Sequence, residues 1–89
     1  MRIKKEFVLR EVAGEYIIIP VGNTILNFNG LITVNEVGVS LWKMLQNDVT
    51  AEQLLQGILD EYEVEEDIAK EDIQEFLDTL VKSGILDKE

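Results

Sequence analysis

The chain has 89 residues, no cysteine, no histidine and a formal net charge of −10. That length makes one small domain with a modest core, and the missing residue types remove disulfides, thiolate metal sites, and the commonest general base and metal ligand. Apolar types supply 46% of the chain, which is ordinary for a globular protein and too rich for a disordered one.

In chain order, Arg2, Lys4 and Lys5 give a positive start. No apolar stretch and small-residue cleavage site follow, so no signal peptide is expected and the chain reads as cytoplasmic. Phe7-Val8-Leu9-Arg10-Glu11-Val12 alternates in polarity, Ala13-Gly14 is a two-residue turn, and Glu15-Tyr16-Ile17-Ile18-Ile19-Pro20-Val21 is strongly β-favouring. Two such runs about a two-residue turn predict an antiparallel hairpin. Pro20 cannot donate a ladder hydrogen bond, which puts it at a strand end or edge. The run Ile17-Ile18-Ile19 is far too short to span a bilayer.

Thr24 to Phe28 reads as a partner strand or an extended loop, Asn29-Gly30 is the preferred pair for a type I′ turn, and residues 31–34 read as a further strand. Asn35 is an expected N-cap for a helix over about 36–46, with Val37, Leu41, Met44 and Leu45 at helical spacing. Gly38 weakens that helix by roughly 1 kcal/mol relative to alanine, which suggests close backbone approach or simply a first-turn position. Thr50 to Gln53 fits a capping box that opens a second helix over about 51–62. A third helix is expected over about 67–83, capped by Asp67 and stopped at Gly84. Its apolar face is Ile73, Phe76, Leu77, Leu80 and Val81. The expected fold is α+β: a small antiparallel sheet of about three strands followed by a three-helix bundle, winged-helix-like. It forms one domain over residues 1–89, β-rich over 1–34 and helical over 35–89.

Residues 63–89 hold ten acids against Lys70, Lys82 and Lys88. Such a surface repels phosphate backbones and anionic membranes, so neither nucleic acid nor a membrane is an expected partner. The plain reading of the acidity is solubility; the sharper one is a basic partner steered to the C-terminal half. No catalytic constellation is visible. Ser40 and Ser83 have no base of the usual kind to activate them. The acidic stretch from Asp60 to Glu71 lacks the alternating ligands and turn glycine of a calcium loop. Neither cofactor nor metal is expected.

At Val34-Asn35-Glu36-Val37-Gly38-Val39-Ser40-Leu41-Trp42 the sequence resembles the PqqD-like family, the peptide-binding modules called RiPP recognition elements. Phe7 to Tyr16 is similar to the family's first hairpin. Thr50-x-Glu52-x-Leu54 and Tyr62-x-Val64 are similar to its second helix, and Asp72-Ile73-x-x-Phe76-Leu77-x-x-Leu80-x-x-x-Gly84-Ile85-Leu86 to its third helix and end. The resemblance implies a non-catalytic module that takes the leader segment of a precursor peptide as an extra strand beside the third helix. It presents that peptide to a separate modifying enzyme, in the PQQ pathway a radical SAM protein.

On this resemblance the peptide edge is Leu31, Ile32, Thr33 and Val34, with Ile32 and Val34 facing opposite to Thr33. Ile73, Phe76, Leu77 and Leu80 line the groove floor, and Asp72 and Glu75 stand at its rim. The alternative for the four apolar residues is the core, which has the better claim on Leu77 and Leu80 and an even one on Ile73 and Phe76. The ten residues from Val21 to Gly30 are longer than the family's short connection. That departure leaves the register of the third strand open and favours a peptide other than one of PQQ synthesis. The competing reading is a winged-helix-like interaction or regulatory module without leader or DNA binding, and in either case an exposed strand edge invites a homodimer.

Overall fold

The computed structural model describes residues 1–4, 6–21 and 32–87. Leu31, the expected strand at 24–28 and the Asn29-Gly30 turn lie outside the described residues. In chain order the elements are β1 (Arg2–Ile3), β2 (Phe7–Val12), β3 (Glu15–Pro20), β4 (Ile32–Val34), α1 (Glu36–Met44), α2 (Ala51–Glu61), α3 (Glu66–Lys82) and β5 (Leu86–Asp87). The α+β layout is the expected one, an antiparallel three-stranded sheet followed by three helices.

The hairpin forms where the alternation ends. Ala13 and Gly14 both take positive φ, +53° and +83°, as the favoured two-residue hairpin turn demands. The strands pair from Phe7↔Pro20 to Val12↔Glu15. Pro20 closes β3, and the Val21 N–H donates to the Glu6 carbonyl at 2.8 Å, carrying the pairing one step past the proline. β4 adds to the other side of β3 with Tyr16↔Val34, Ile17↔Thr33 and Ile18↔Ile32. The sheet order is therefore β2-β3-β4. Phe7, Ile18, Pro20 and Val34 are buried on its inner face.

The helices cover that face. Leu41 and Leu45 from the α1 segment, Leu54 and Ile58 from α2, and Leu80 from α3 are all fully buried around Ile18 and Ile85. The Thr50 capping box is present, with Thr50 Oγ1 accepting from the Gln53 N–H at 3.1 Å and Gln53 Oε1 from the Thr50 N–H at 2.9 Å. Asp67 does not cap α3. The helix begins at Glu66, one residue earlier, after Glu65, which makes no side-chain capping bond, so Asp67 lies inside the first turn. There its charge still complements the helix dipole.

The end of α3 follows from Gly84. At φ +72° it lets the Ile85 N–H reach back to the Leu80 carbonyl (2.9 Å) and its own N–H to the Val81 carbonyl (3.1 Å). This is the paired-bond stop that only a left-handed residue permits cheaply. Ile85 is thereby folded onto Leu80, both fully buried. The chain then continues into β5, which pairs antiparallel with β1 through Arg2↔Asp87 and Ile3↔Leu86. This second, two-stranded sheet is not anticipated in the sequence, because two residues carry no readable periodicity.

Candidate functional site

Asn35 is the only residue between β4 and α1. It is extended, and its side-chain oxygen accepts the Gly38 N–H at 2.8 Å, so strand passes directly into helix without a loop. Three residues on, α1 runs hard against its neighbours. A Cβ on Gly38 would overlap Cγ1 of Val34 and lie 3.2 Å from Cε1 of Phe76. Only glycine lets β4, α1 and α3 meet at this point.

Where they meet, they enclose an open cleft of about 270 Å³. β4 contributes Ile32, Thr33 and Val34; the start of α1 contributes Asn35, Val37, Gly38 and Leu41; α3 contributes Asp72, Glu75, Phe76 and Thr79. The α3 residues follow i, i+3, i+4, i+7 and form one stripe along the helix. Within β4, Val34 is buried, Ile32 half-buried and Thr33 exposed, so Ile32 and Val34 face opposite to Thr33 as expected. β4 pairs only with β3 among the described residues. Its residues border the cleft, and no second strand takes up its other edge among the described residues; an edge of that kind offers main-chain donors and acceptors.

Of the residues the sequence singles out, Ile32, Thr33, Val34, Asp72, Glu75 and Phe76 come together here. Ile73, Leu77 and Leu80 do not line this cleft. Leu80 is fully buried in the core, and Ile73 and Leu77 are each only 5% exposed. Those two turn toward α2, where with Ala51 and Leu55 they border an apolar hollow of about 300 Å³. A helix of this length has two packing faces, and periodicity alone does not separate the face toward α2 from the face toward β4. Asn35, Val37, Gly38, Leu41 and Thr79 are not among the residues the sequence assigns to the site. Thr79 continues the Asp72–Glu75–Phe76 stripe and was legible from spacing; the α1 residues needed knowledge of how α1 packs.

Asp72 and Glu75 are exposed, and no lining residue is basic. Among the described residues, the ion pair on α3 lies elsewhere, between Lys70 and Glu66 at 3.0 Å. Ser40 is outside the cleft, in a polar knot joining α1 to the end of α2. Its hydroxyl donates to Glu61 Oε2 (3.1 Å) and lies 2.9 Å from the Tyr62 hydroxyl, which reaches the Glu36 carbonyl at 3.2 Å. Among the described residues no cluster of acids is arranged to hold a metal ion, and no helix is long and apolar enough to cross a membrane.

The family described as "Coenzyme PQQ synthesis protein D (PqqD)" matches residues 9–86. The chain belongs to this family. No curated protein matches the sequence, but two solved structures share the PqqD-family fold. One, described as TbiB1 in complex with the TbiA(beta) leader peptide, has 20% identity and a TM-score of 0.76 over 100% of this chain and 98% of that one. The other, a lasso peptide synthetase B1 complexed with the leader peptide, has 19% identity and a TM-score of 0.70 over 94% and 93%. At such identities the likeness is one of fold. The PqqD-family motif Asn35-Glu36-x-Gly38 has its physical basis in the geometry above: a cap that ends β4, and a glycine that admits Val34 and Phe76.

Proposed function

We propose that this chain is a non-catalytic module over residues 1–89 that binds the leader segment of a ribosomally made precursor peptide. The peptide adds as a strand along β4 and is presented to a separate modifying enzyme, such as a radical SAM protein. The observation that carries this reading is β4, paired with β3 alone among the described residues, lining a cleft whose opposite wall is α3. Main-chain hydrogen bonds along such an edge supply affinity, and alternate side chains entering the cleft supply selectivity. Ile32, Thr33, Val34, Asp72 and Phe76 carry contact in this arrangement, joined by Val37, Gly38 and Thr79. The complexes in which the two similar folds were solved support the reading. So does Ser40, which is held by Glu61 and Tyr62 rather than by a base aimed at the cleft.

The test is an amide NMR titration with the precursor peptide encoded beside the gene. Binding is expected to shift residues 32–38 and 72–79 and to slow hydrogen exchange in β4. No binding tighter than about millimolar, a free energy of roughly −4 kcal/mol, would sink the proposal.

A further inference from the structure

The cleft is not neutral, and its charge is unevenly placed. Along the α3 stripe the order is Asp72, Glu75, Phe76, Thr79. With a rise of about 1.5 Å per residue, the two carboxylates occupy the N-terminal half of the stripe, the aromatic ring the middle, and a hydroxyl the far end. Thr79 Oγ1 is turned back to the Glu75 carbonyl at 3.0 Å, so it offers little to a ligand. Among the described residues neither Asp72 nor Glu75 has an ion-pair or side-chain hydrogen-bond partner. Two other carboxylates of α3 are engaged, Glu66 with Lys70 (3.0 Å) and Asp78 with Gln74 (2.8 Å). Apolar surface of Val37, Ile32 and Phe76 lies directly beside the free pair.

An added strand places alternate side chains on one face, about 6.5–7 Å apart at positions i and i+2. Neighbours on a helix at i, i+3 or i, i+4 lie about 5–6 Å apart. The two spacings match closely enough for one strand residue to pack on Phe76 while the residue two places away reaches Asp72 or Glu75. We infer that the cleft selects a cationic leader. Its recognised strand carries an apolar side chain for the Phe76 pocket and, two positions away on the same face, a Lys or Arg for Asp72 and Glu75. This rests on the strand-addition reading and names the chemical class of peptide that the site takes. A peptide with Asp or Glu at that place meets two like charges and is rejected, so the carboxylates act more through exclusion and steering than through affinity.

The experiment uses the full chain and a displayed library of extended peptides, about ten residues each, with random residues at the alternate positions. Selected peptides are mapped by amide shifts on residues 32–34. For the wild type, the expected result is enrichment of Lys or Arg two places from an apolar residue. For the double variant Asp72→Asn with Glu75→Gln, the basic preference is lost and the apolar one kept. A selected basic peptide should bind the double variant about three- to tenfold more weakly, the scale of two exposed pairs, and that difference should shrink in high salt. Both residues are exposed on a helix whose packed face is elsewhere, so the variant keeps its fold. Peptides that bind at β4 without charge preference, or with an acidic one, overturn this inference and leave strand addition standing. Selected peptides that bind away from β4, or no selected peptides at all, overturn both.

Discussion

Single residues decide three things in this chain. Ala13 holds φ +53° in the hairpin turn, a left-handed conformation that costs an L-residue with a Cβ about 1–2 kcal/mol. Asparagine or glycine suits it better. Ala13→Asn is therefore expected to raise stability by about 0.5–1 kcal/mol, read as a higher urea midpoint at unchanged slope; an unmoved midpoint would contradict the strain. Gly38 is the opposite case. Gly38→Ala drives a methyl into the stiff Val34 side chain and against Phe76, an overpacking that costs about 1–3 kcal/mol. Because those contacts form the cleft wall, peptide binding should fall along with stability. Asp48 illustrates pH dependence. The Met1 ammonium donates to its Oδ1 at 2.8 Å, and that bond, followed by the Coulomb attraction, holds the carboxyl below its ordinary value near 3.8. A lowered carboxyl contributes stability above its unfolded value and loses it as pH falls through the folded one. Asp48→Asn should therefore destabilise slightly at pH 7 and not at all once pH is below the folded value, as thermal melts across acid pH would record. Since Asp48 is fully exposed, the effect is small.

Among elements, α3 separates stability from binding on its two faces. Leu80 is fully buried and lies off the cleft, so Leu80→Ala should cost about 2–5 kcal/mol in denaturant unfolding. Phe76 is half-buried and lines the cleft. Phe76→Ala should cost much less stability and weaken peptide binding about tenfold or more, the scale of an aromatic anchor; a variant that melts early yet binds unchanged would place the anchor elsewhere. The helices were legible to within two residues at each end, because caps and 3.6-residue periodicity are local signals: Asn35, the Thr50–Gln53 box and Gly84 all act where the sequence puts them. The α3 start was misplaced by one residue because Asp67 is a good cap in composition, while Glu65 occupies the cap position without a capping bond. The cleft was legible on β4 and at Asp72, Glu75 and Phe76. It was not legible at Val37 and Leu41, whose stripe on α1 reads the same whether it meets core or cleft. β1 and β5 form only because the Gly84 stop turns the chain back toward Arg2, a long-range consequence that no local pattern carries.

At the scale of the molecule, the three-stranded sheet has two outer strands, β2 and β4, neither covered by another strand among the described residues. An uncovered edge is a template for pairing. β2 of one copy and β4 of another would join head to tail, a contact that does not close on itself. Weak association that grows with concentration is therefore expected in light scattering of the free chain. Saturating peptide should suppress it by occupying β4; association unchanged by peptide would assign it to another surface. The pairing of β1 with β5 has a different consequence. Arg2 and Asp87 face each other across an antiparallel ladder, so their backbones are about 5 Å apart, and they join in a small sheet separate from the one that carries β4. Two such adjacent ends make the fold a cassette. It can be spliced into a surface loop of a host protein, or tethered by either end, with the same handle. In each arrangement a bound peptide is delivered from the same side, and linker length sets its local concentration at the enzyme.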